Sequence, residues 1–286
     1  MGFQTVIYEV DGPVATITMN RPEVANAQSS ELIDELDAAF DQADADDDVR
    51  VVVLAARGKH FSSGHDLKTM LGQAEADQWS AMRETPEGKF RHEEVMYYGR
   101  CRKIHDFRKP TIAAVQGSCV AAGLMLACMC DLIVAADDAQ FSNPVLRMTG
   151  AGVELLVEPW EMGARKAKEF LLTGDAIDAR EAWRLGLVNR VVPRRRLAAE
   201  TLALARRIAL VPPVTASLVK ESINQATAFA GKEHSFRHHF MVHQFMHGTQ
   251  TAAEALAARR RTGSVRAMLA ARDRDFAAPR RRGRTR

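Results

Sequence analysis

The sequence predicts an α/β fold with a helical C-terminal subdomain, and three observations favour it. Short β-branched or apolar runs alternate with helical patterns in the first half of the chain, whereas helical patterns dominate beyond residue 164. With 47% hydrophobic and 26% charged residues, the composition is that of an ordinary globular protein. The 286 residues suffice for one large domain or two small ones.

The first half begins with a hairpin signal, because Asp11-Gly12-Pro13 separates two strand-like runs at 5–10 and 14–18. A helix follows, with Ser30 as its predicted N-cap and an apolar face of Leu32, Ile33, Leu36, Ala39 and Phe40. Residues 71–92 have an irregular pattern, which predicts the most mobile region of the chain. Further elements are a helix at 90–107 and strands at 51–55, 112–115, 132–136 and 140–141.

The second half is predicted to be helical at 164–172, 179–185, 196–209, 213–226 and 236–247. We therefore predict an α/β core at 1–200, a helical subdomain at 201–270 and a basic, flexible tail at 271–286. The tail arginines have no aromatic residues between them, so we do not expect a nucleic acid partner.

Composition and the N-terminal residues indicate the cellular compartment that we expect for the protein. No apolar run approaches the roughly 18 residues that span a bilayer, so we expect no membrane partner. The N-terminus has no basic region followed by an apolar core, so a secretory signal is not expected. The four cysteines lie in apolar surroundings without metal-ligand spacing, which favours reduced, buried thiols in a cytoplasmic protein.

Two glycine-containing turns carry the chemistry that the sequence suggests. The first follows the strand at 112–115, with Gly117 at a tight turn before a run of small residues that opens an apolar helix at Ala122. Unpaired amides at such a helix start suit a developing anion, although a tightly packed buried helix has the same pattern. The second turn, Phe61-Ser62-Ser63-Gly64-His65-Asp66-Leu67-Lys68, follows the strand at 51–55.

Together the two turns resemble the paired signatures of the enoyl-CoA hydratase (crotonase) superfamily. Those signatures have the form Ala-Gly-Ala-Asp-Leu and Gly-x-x-x-Gly-Gly-Gly. The resemblance covers residues 5–260 and extends through Asn20-Arg21-Pro22, Ala139-Gln140-Phe141, Leu172-Thr173-Gly174-Asp175, Gly186-Leu187-Val188 and Lys220-Glu221-Ser222.

The resemblance implies a crotonase-like spiral of ββα units whose last helices build homotrimers or dimers of trimers. It implies that the amides of His65 and Ala122 donate to the thioester oxygen of an acyl-CoA. Coenzyme A enters only as part of this substrate, and no tightly bound cofactor is expected. The implied coenzyme A contacts are the two amide positions together with Glu23, Val24, Ala25, Asp66, Leu67 and Lys68.

Some of these positions have a structural alternative. The side chain of His65, where the family has a small residue, either points away from the site or contacts substrate. Asp66 is predicted to cap the following helix. Lys68 is either a phosphate contact or a solvated surface residue.

The chain departs from the hydratases at both catalytic glutamates. The resemblance implies that Met125 and Val145 stand where hydratases carry their two glutamates, and neither side chain can carry a proton. Glu154 is the nearest substitute, because other branches of the superfamily place a catalytic acid in the following loop. Its structural alternative is a surface carboxylate or one paired with Arg147 or Arg165. Glu158 and Glu161 are weaker candidates.

Three histidines, His239, His243 and His247, share one face of a predicted helix at a spacing that can bind metal. We expect no metal site, because no acidic or cysteine ligand is in register with them. Two functional hypotheses remain open. One is an acyl-CoA hydratase or isomerase-like enzyme with a relocated acid/base. The other is a non-catalytic acyl-CoA-binding protein whose pocket Met125 and Val145 make apolar.

Overall fold

The computed structural model describes residues 2–71 and 77–276 and contains two β-sheets surrounded by helices. The larger sheet has six strands in the order β1-β2-β3-β4-β6-β9, and the smaller has the order β5-β7-β8. The strands are β1 (Val6–Asp11), β2 (Val14–Met19), β3 (Val51–Ala56), β4 (Thr111–Val115), β5 (Ser118–Val120), β6 (Leu132–Ala136), β7 (Gln140–Ser142), β8 (Ile177–Asp178) and β9 (Arg190–Val192).

The predicted hairpin is confirmed, since β1 and β2 pair antiparallel with Asp11 opposite Val14. The other neighbours in the large sheet are parallel, so each needs a crossover connection. The helices are α1 (Ser30–Ala45), α2 (Leu67–Met70), α3 (Pro86–Glu93), α4 (Arg100–His105), α5 (Ala122–Cys128), α6 (Glu158–Met162), α7 (Ala164–Thr173), α8 (Ala179–Leu185), α9 (Leu197–Ile208), α10 (Pro213–Phe229), α11 (Lys232–His247), α12 (Gln250–Arg260) and α13 (Val265–Asp273).

Both faces of the large sheet are covered, as expected of a mainly parallel sheet. One face packs against α1 and α5 through buried residues that include Leu32, Phe40 and Leu124. The other face packs against α9, where Leu204 and Ala205 join Val51 and Val53 of β3 in a second cluster. The α/β prediction is confirmed, while the predicted boundary at residues 200 and 201 falls inside α9.

Several predicted boundaries moved. The N-cap of α1 is Ser29, whose side chain accepts a bond from the Leu32 amide, rather than Ser30. The segment predicted to be irregular contains α3, capped by Thr85, and residues 72–76 of it lie outside the described residues. The predicted helix at 90–107 is instead α3 and α4 joined by a π-helix over Glu94–Gly99.

The C-terminal region folds back onto the core. Phe236 and Phe240 of α11 are fully buried, and Met268 of α13 packs with Leu71 and Met148. The prediction of a flexible tail from residue 271 is wrong for 271–276, which form the end of α13 and a 3-10 turn; residues 277–286 lie outside the described residues.

Among the described residues, no single helix has the length and apolar character needed to cross a membrane. Only the bent pair Arg194–Ile208 and Pro213–Phe229, with 103° between its halves, meets that requirement by length and composition. The first half of this pair contains α9, whose Leu204 and Ala205 are buried against the sheet.

Candidate active site

The two glycine-containing turns lie side by side. Ser62 and Cys119 form a parallel bridge, and the Val120 amide donates to the Ser62 carbonyl oxygen over 2.9 Å. Gly64 has a φ of +89°, and a Cβ added there would lie 3.0 Å from the Val120 oxygen and 3.3 Å from the Ala122 nitrogen. Only glycine allows so close an approach in this backbone conformation.

The amides at positions 65 and 122 face away from the acceptors around them. Gln28 receives the Asp66 amide on its oxygen and donates to the Gly64 oxygen, so the His65 amide points to the other side of this bridge. Ala122 is the first residue of α5 and has no acceptor within the helix. Among the described residues, neither amide has a hydrogen-bond acceptor.

A strained backbone at Ala121 sets the direction in which α5 begins. Its φ of 51° and ψ of −114° belong to a region that residues other than glycine rarely adopt. The Ala121 amide donates to the Ser142 oxygen over 2.9 Å, which ties the start of α5 to β7. The family signature has glycine at this position, so the substitution retains the turn at a cost in strain.

The residues implied as coenzyme A contacts lie along the turn at 61–68. The Ser63 amide donates to the Ala25 oxygen over 2.9 Å, which holds the adjoining Glu23 and Val24 close to it. Asp66 pairs with Arg21 at 3.2 Å.

Residues 66–68 continue from this turn into α2. Asp66 accepts the Lys68 amide at 3.1 Å, as the capping prediction requires. Leu67 is half-buried against the small cluster around Met268, whereas the Lys68 side chain is exposed. Only Lys68 therefore extends into solvent from this segment.

A narrow cleft of about 420 Å³, partly open to solvent, lies beside His65. Its walls come from α1, α4, α5 and the π-helix and are mostly apolar, with Met96, Met125 and Leu126 among them. Met125 is thus at the cleft. Val145 is not in its lining and packs instead against the main core from the 3-10 turn at Pro144–Met148.

Glu154 is buried, and its partner is His65. The carboxylate is 3% exposed and lies 3.1 Å from His65 Nε2. The alternative pairing with Arg147 is wrong, because that guanidinium bonds to the Thr173 oxygen and to Asp175. Burial acts to raise the pKa of Glu154, but the charge and hydrogen bond of His65, with a contribution from His243, hold that pKa below its ordinary value. Glu154 is therefore an ionised carboxylate at neutral pH, suited to act as a base.

The His65 ring is part of the site rather than pointing away from it. It stacks on Tyr97 with ring centroids 4.0 Å apart and lines the cleft. Its Nε2 donates to Glu154, while its buried Nδ1 has no partner among the described residues. Burial, followed by the nearby charge of Glu154, raises the pKa of Tyr97, so its hydroxyl remains protonated. A carboxylate that orients an imidazole is a recurring acid/base arrangement.

The weaker acidic candidates lie elsewhere. Glu158 is fully buried, accepts a bond from Asn143 Nδ2 at 2.7 Å, and has a pKa raised by burial. Glu161 lies 3.4 Å from Lys232 Nζ. None of the three acidic candidates lines the cleft, but Glu154 contacts the cleft-lining His65, whereas Glu158 and Glu161 pair with Asn143 and Lys232, which do not line it.

The histidines of α11 have separate partners. His239 donates from Nε2 to the Val153 oxygen at 2.8 Å, which holds α11 against the loop that carries Glu154. His243 lies 3.2 Å from Glu93, so the expectation that no acidic residue is in register with these histidines is wrong. The histidine spacing is visible in the sequence, but Glu93 is 150 residues away from His243 and carries no motif.

The cysteine prediction is confirmed in its structural part. Cys101, Cys119, Cys128 and Cys130 are all buried and unbridged. Cys101 lines the cleft, and burial raises its pKa, so the thiol is protonated there and contributes as an apolar group.

Comparisons with known proteins agree with this geometry. The family model for enoyl-CoA hydratase/isomerase matches residues 9–262. A Mycobacterium tuberculosis protein named "Putative enoyl-CoA hydratase EchA13" is 44% identical over 258 residues, covering 86% of this chain and 81% of the relative. The crystal structure of an enoyl-CoA hydratase/isomerase from Xanthobacter autotrophicus aligns with a TM-score of 0.88 at 34% identity, over 97% of this chain and all of that one. With its paired turns and its α/β sheets, the chain belongs to the enoyl-CoA hydratase/isomerase (crotonase) family.

Proposed function

We propose that the protein is an acyl-CoA enzyme of the hydratase/isomerase type that stabilises a thioester enolate with the amides of His65 and Ala122. The observation that carries this proposal is the adjacency of two turns whose amides both lack an acceptor among the described residues. Two preorganised amides aimed at one developing oxyanion form an oxyanion hole, in which each donor supplies about 3 to 4 kcal/mol of activation free energy.

Glu154 and His65 supply the acid/base function in this proposal. Met125 and Val145 have no ionisable group, so the two-glutamate mechanism of the hydratases is not open to this chain. One base suffices for double-bond isomerisation: it takes a proton from the α-carbon of a 3-enoyl thioester, and the enolate accepts that proton back at the γ-carbon. Glu154 is ionised and hydrogen-bonded by His65, which borders the cleft. The pair therefore suits a single proton transfer, and isomerisation needs fewer residues than hydration.

In this proposal the coenzyme A portion extends along the turn at 61–68. It passes Glu23, Val24 and Ala25 and runs towards the exposed Lys68. Support comes from the hydrogen bond between Ser63 and Ala25, which keeps these residues beside the His65 amide. A lysine ammonium at the exposed end is a suitable point charge for a phosphate oxygen. No tightly bound cofactor is needed.

The proposal includes a homotrimer or a dimer of trimers. Three apolar side chains of α10, Val214, Leu218 and Ile223, are 70%, 56% and 60% exposed. Val214 and Leu218 lie on one face of this helix and Ile223 on another, and a second copy of the chain would cover such exposed apolar groups. Light scattering should give a trimeric or hexameric mass, which Ile223→Glu should reduce.

The test deletes one proposed oxyanion donor. Incorporating lactic acid at position 122 by nonsense suppression replaces this N–H with an ester oxygen and keeps the methyl side chain, and Ala122→Gly is the matched control that retains the N–H. With a panel of 2-enoyl-CoA and 3-enoyl-CoA esters, we expect the ester variant to lose about 100- to 1,000-fold in turnover and the glycine variant to stay near wild type. Thermal melts verify that both variants are folded.

Two other outcomes would overturn the proposal. If the wild type binds the enoyl-CoA esters tightly but turns none of them over, the protein is a non-catalytic acyl-CoA-binding protein. The apolar side chains of Met125 and Val145 are also compatible with that function. Equal turnover by the folded ester variant and Ala122→Gly would mean that the amide of residue 122 does not bind the thioester oxygen.

A further inference from the structure

Three metal-ligand atoms converge between α3 and α11, and one of them, His243 Nε2, lies 3.9 Å from Glu154 Oε1. Glu93 Oε2 lies 3.2 Å from His243 Nε2 and 3.3 Å from His247 Nε2, and the two histidine nitrogens are 3.0 Å apart. The two histidines are separated by four residues on α11, which brings their rings to one face of the helix. Glu93 is the last residue of α3.

Hydrogen bonds cannot account for all three of these approaches. Each imidazole Nε2 offers either one N–H or one lone pair, always in the plane of its ring. If only one nitrogen carries a hydrogen, the lone pair of the other faces the Glu93 carboxylate. If both carry hydrogens, both N–H groups converge on Glu93 Oε2, and the 3.0 Å approach of the two nitrogens is not a hydrogen bond. With an ionised Glu93, hydrogen bonds therefore satisfy at most two sides of the triangle, whereas a cation between the three atoms would satisfy all of them.

We propose that Glu93, His243 and His247 bind a divalent transition-metal ion with the preferences of Zn²⁺. A zinc ion about 2.0 to 2.2 Å from each of three tetrahedral ligands separates the ligand atoms by roughly 3.3 to 3.5 Å. The observed separations of 3.0 to 3.3 Å are close to this spacing. Two imidazoles and one carboxylate suit zinc and its first-row neighbours, and not Ca²⁺ or Mg²⁺, which prefer oxygen ligands alone.

The surroundings of Glu93 favour a ligand that binds through one oxygen. Gln244 donates to Oε2 over 2.6 Å, the kind of support that ligating carboxylates commonly have. Oε1 lies 3.8 Å from the Lys89 ammonium, so it faces a positive charge rather than the metal. Oε2 therefore takes the metal with one lone pair and the Gln244 amide with the other.

The exposed fractions of the three ligand side chains indicate on which side a fourth ligand would reach the ion. The side chains of Glu93 and His243 are 8% and 7% exposed, whereas that of His247 is 31% exposed. The open side faces solvent next to His247, where water would complete the tetrahedron. His243 Nδ1 is buried with no partner among the described residues. Because loss of such support commonly costs 10- to 100-fold in metal affinity, we expect binding weaker than at a fully supported zinc site.

The site would fasten α11 to α3, and because His243 Nε2 lies 3.9 Å from Glu154 Oε1, the ion would also add positive charge near the proposed base. Its ligands are 150 residues apart in the chain, and α11 also holds the loop of Glu154 through the bond from His239 to Val153. An ion bound only by the folded state stabilises that state by mass action. Metal binding should therefore raise the unfolding temperature.

The experiment titrates chelator-treated, dialysed protein with Co²⁺ and Zn²⁺. Wild type should bind one equivalent, give the visible d–d absorption of four-coordinate Co²⁺, and show a higher unfolding temperature with Zn²⁺. His247→Ala and Glu93→Gln should each bind at least about tenfold more weakly. The matched control is His238→Ala, an exposed histidine on the same helix, which should behave like wild type.

Two results would overturn the inference. One is wild type that binds neither ion and shows no change in unfolding temperature. The other is His247→Ala that binds Co²⁺ with the same affinity and spectrum as His238→Ala, which would attribute binding to exposed histidines. Circular dichroism of each variant without metal shows whether it is folded. If His247→Ala is misfolded, the comparison between Glu93→Gln and His238→Ala decides.

Discussion

Glu154 and Glu158 are four residues apart, and both are buried, but their carboxyl groups have opposite environments. Glu154 is beside His65 and near His243, which hold its pKa below the ordinary value against the effect of burial. Glu158 has Asn143 as its hydrogen-bond donor, and burial raises its pKa. One is a charged group suited to take a proton, and the other tends toward the neutral form.

The opposite pKa shifts of Glu154 and Glu158 show that burial alone does not decide whether a carboxyl group is charged at neutral pH. A buried acid is available as a base at neutral pH when its partners keep it ionised against the effect of burial, and the same partners lower its strength as a base. Glu154 has such a partner, and that partner borders the cleft. Glu158 has a neutral amide partner and leaves Oε2 without a hydrogen bond among the described residues. The comparison can be tested at both positions with the same isosteric change.

The largest expected effect is on turnover. Glu154→Gln keeps the shape of the side chain but removes the base, so turnover of the preferred enoyl-CoA should fall about 100- to 10,000-fold. Glu158→Gln, the matched control, should leave turnover close to wild type because neither this residue nor its partner Asn143 lines the cleft. Steady-state kinetics of both variants is the measurement. Equal losses would mean that the two carboxylates do not differ in role.

A smaller effect is expected on stability when Glu154 loses its partner. His65→Ala leaves a buried carboxylate with only His243, 3.9 Å away, and should cost about 2 to 3 kcal/mol in the free energy of unfolding. Adding Glu154→Gln to this variant removes the unpaired charge and should restore part of the loss. Urea unfolding of the single and double variants measures this coupling. A double variant less stable than His65→Ala would contradict the pairing.

The smallest effect concerns Glu158 and depends on pH. Its folded-state pKa is raised, so its contribution to stability is complete below the ordinary carboxyl pKa and is lost as the pH rises through the folded value. Glu158→Gln cannot ionise, so it should be about 1 kcal/mol more stable than wild type at pH 8, and the difference should vanish near pH 4. Urea unfolding across this range is the measurement.

The control for this prediction is Glu161→Gln, three residues along, where the carboxylate is partly exposed and lies 3.4 Å from Lys232. It should show no such gain at pH 8. A loss of stability in Glu158→Gln at pH 8 would mean that the ionised carboxylate is well accommodated and would remove the contrast with Glu154.

Much of the fold could be predicted because its signals are local. The hairpin at Asp11-Gly12-Pro13 follows from turn chemistry, and α8 follows from apolar spacing over a few residues. The first turn of α3 was missed, because Gly88 and Pro86 suggested a loop, whereas proline opens the helix and Thr85 caps it. The helix α12 lacks a strong apolar periodicity and was missed for that reason.

Some features of the candidate site could likewise be predicted from local sequence signals, and others could not. Motif and order alone gave the two turns, the positions of His65 and Ala122, and the prediction that Met125 and Val145 stand where hydratases carry glutamates. The partner of Glu154 was not, because His65 is 89 residues away and either rotamer direction of an imidazole is compatible with its turn. Glu93 was not identified either, because nothing near it in the chain marks it as a ligand.

By itself, the sequence determined which backbone turns occur and in what order, since glycine positions and apolar spacing act over a few residues. Only the tertiary structure decided which side chains meet: Glu154 with His65, and Glu93 with His243 and His247. The physical reason is that a turn is specified by its own torsion angles, whereas a charge acquires its partner only when packing brings distant elements to within a few ångströms.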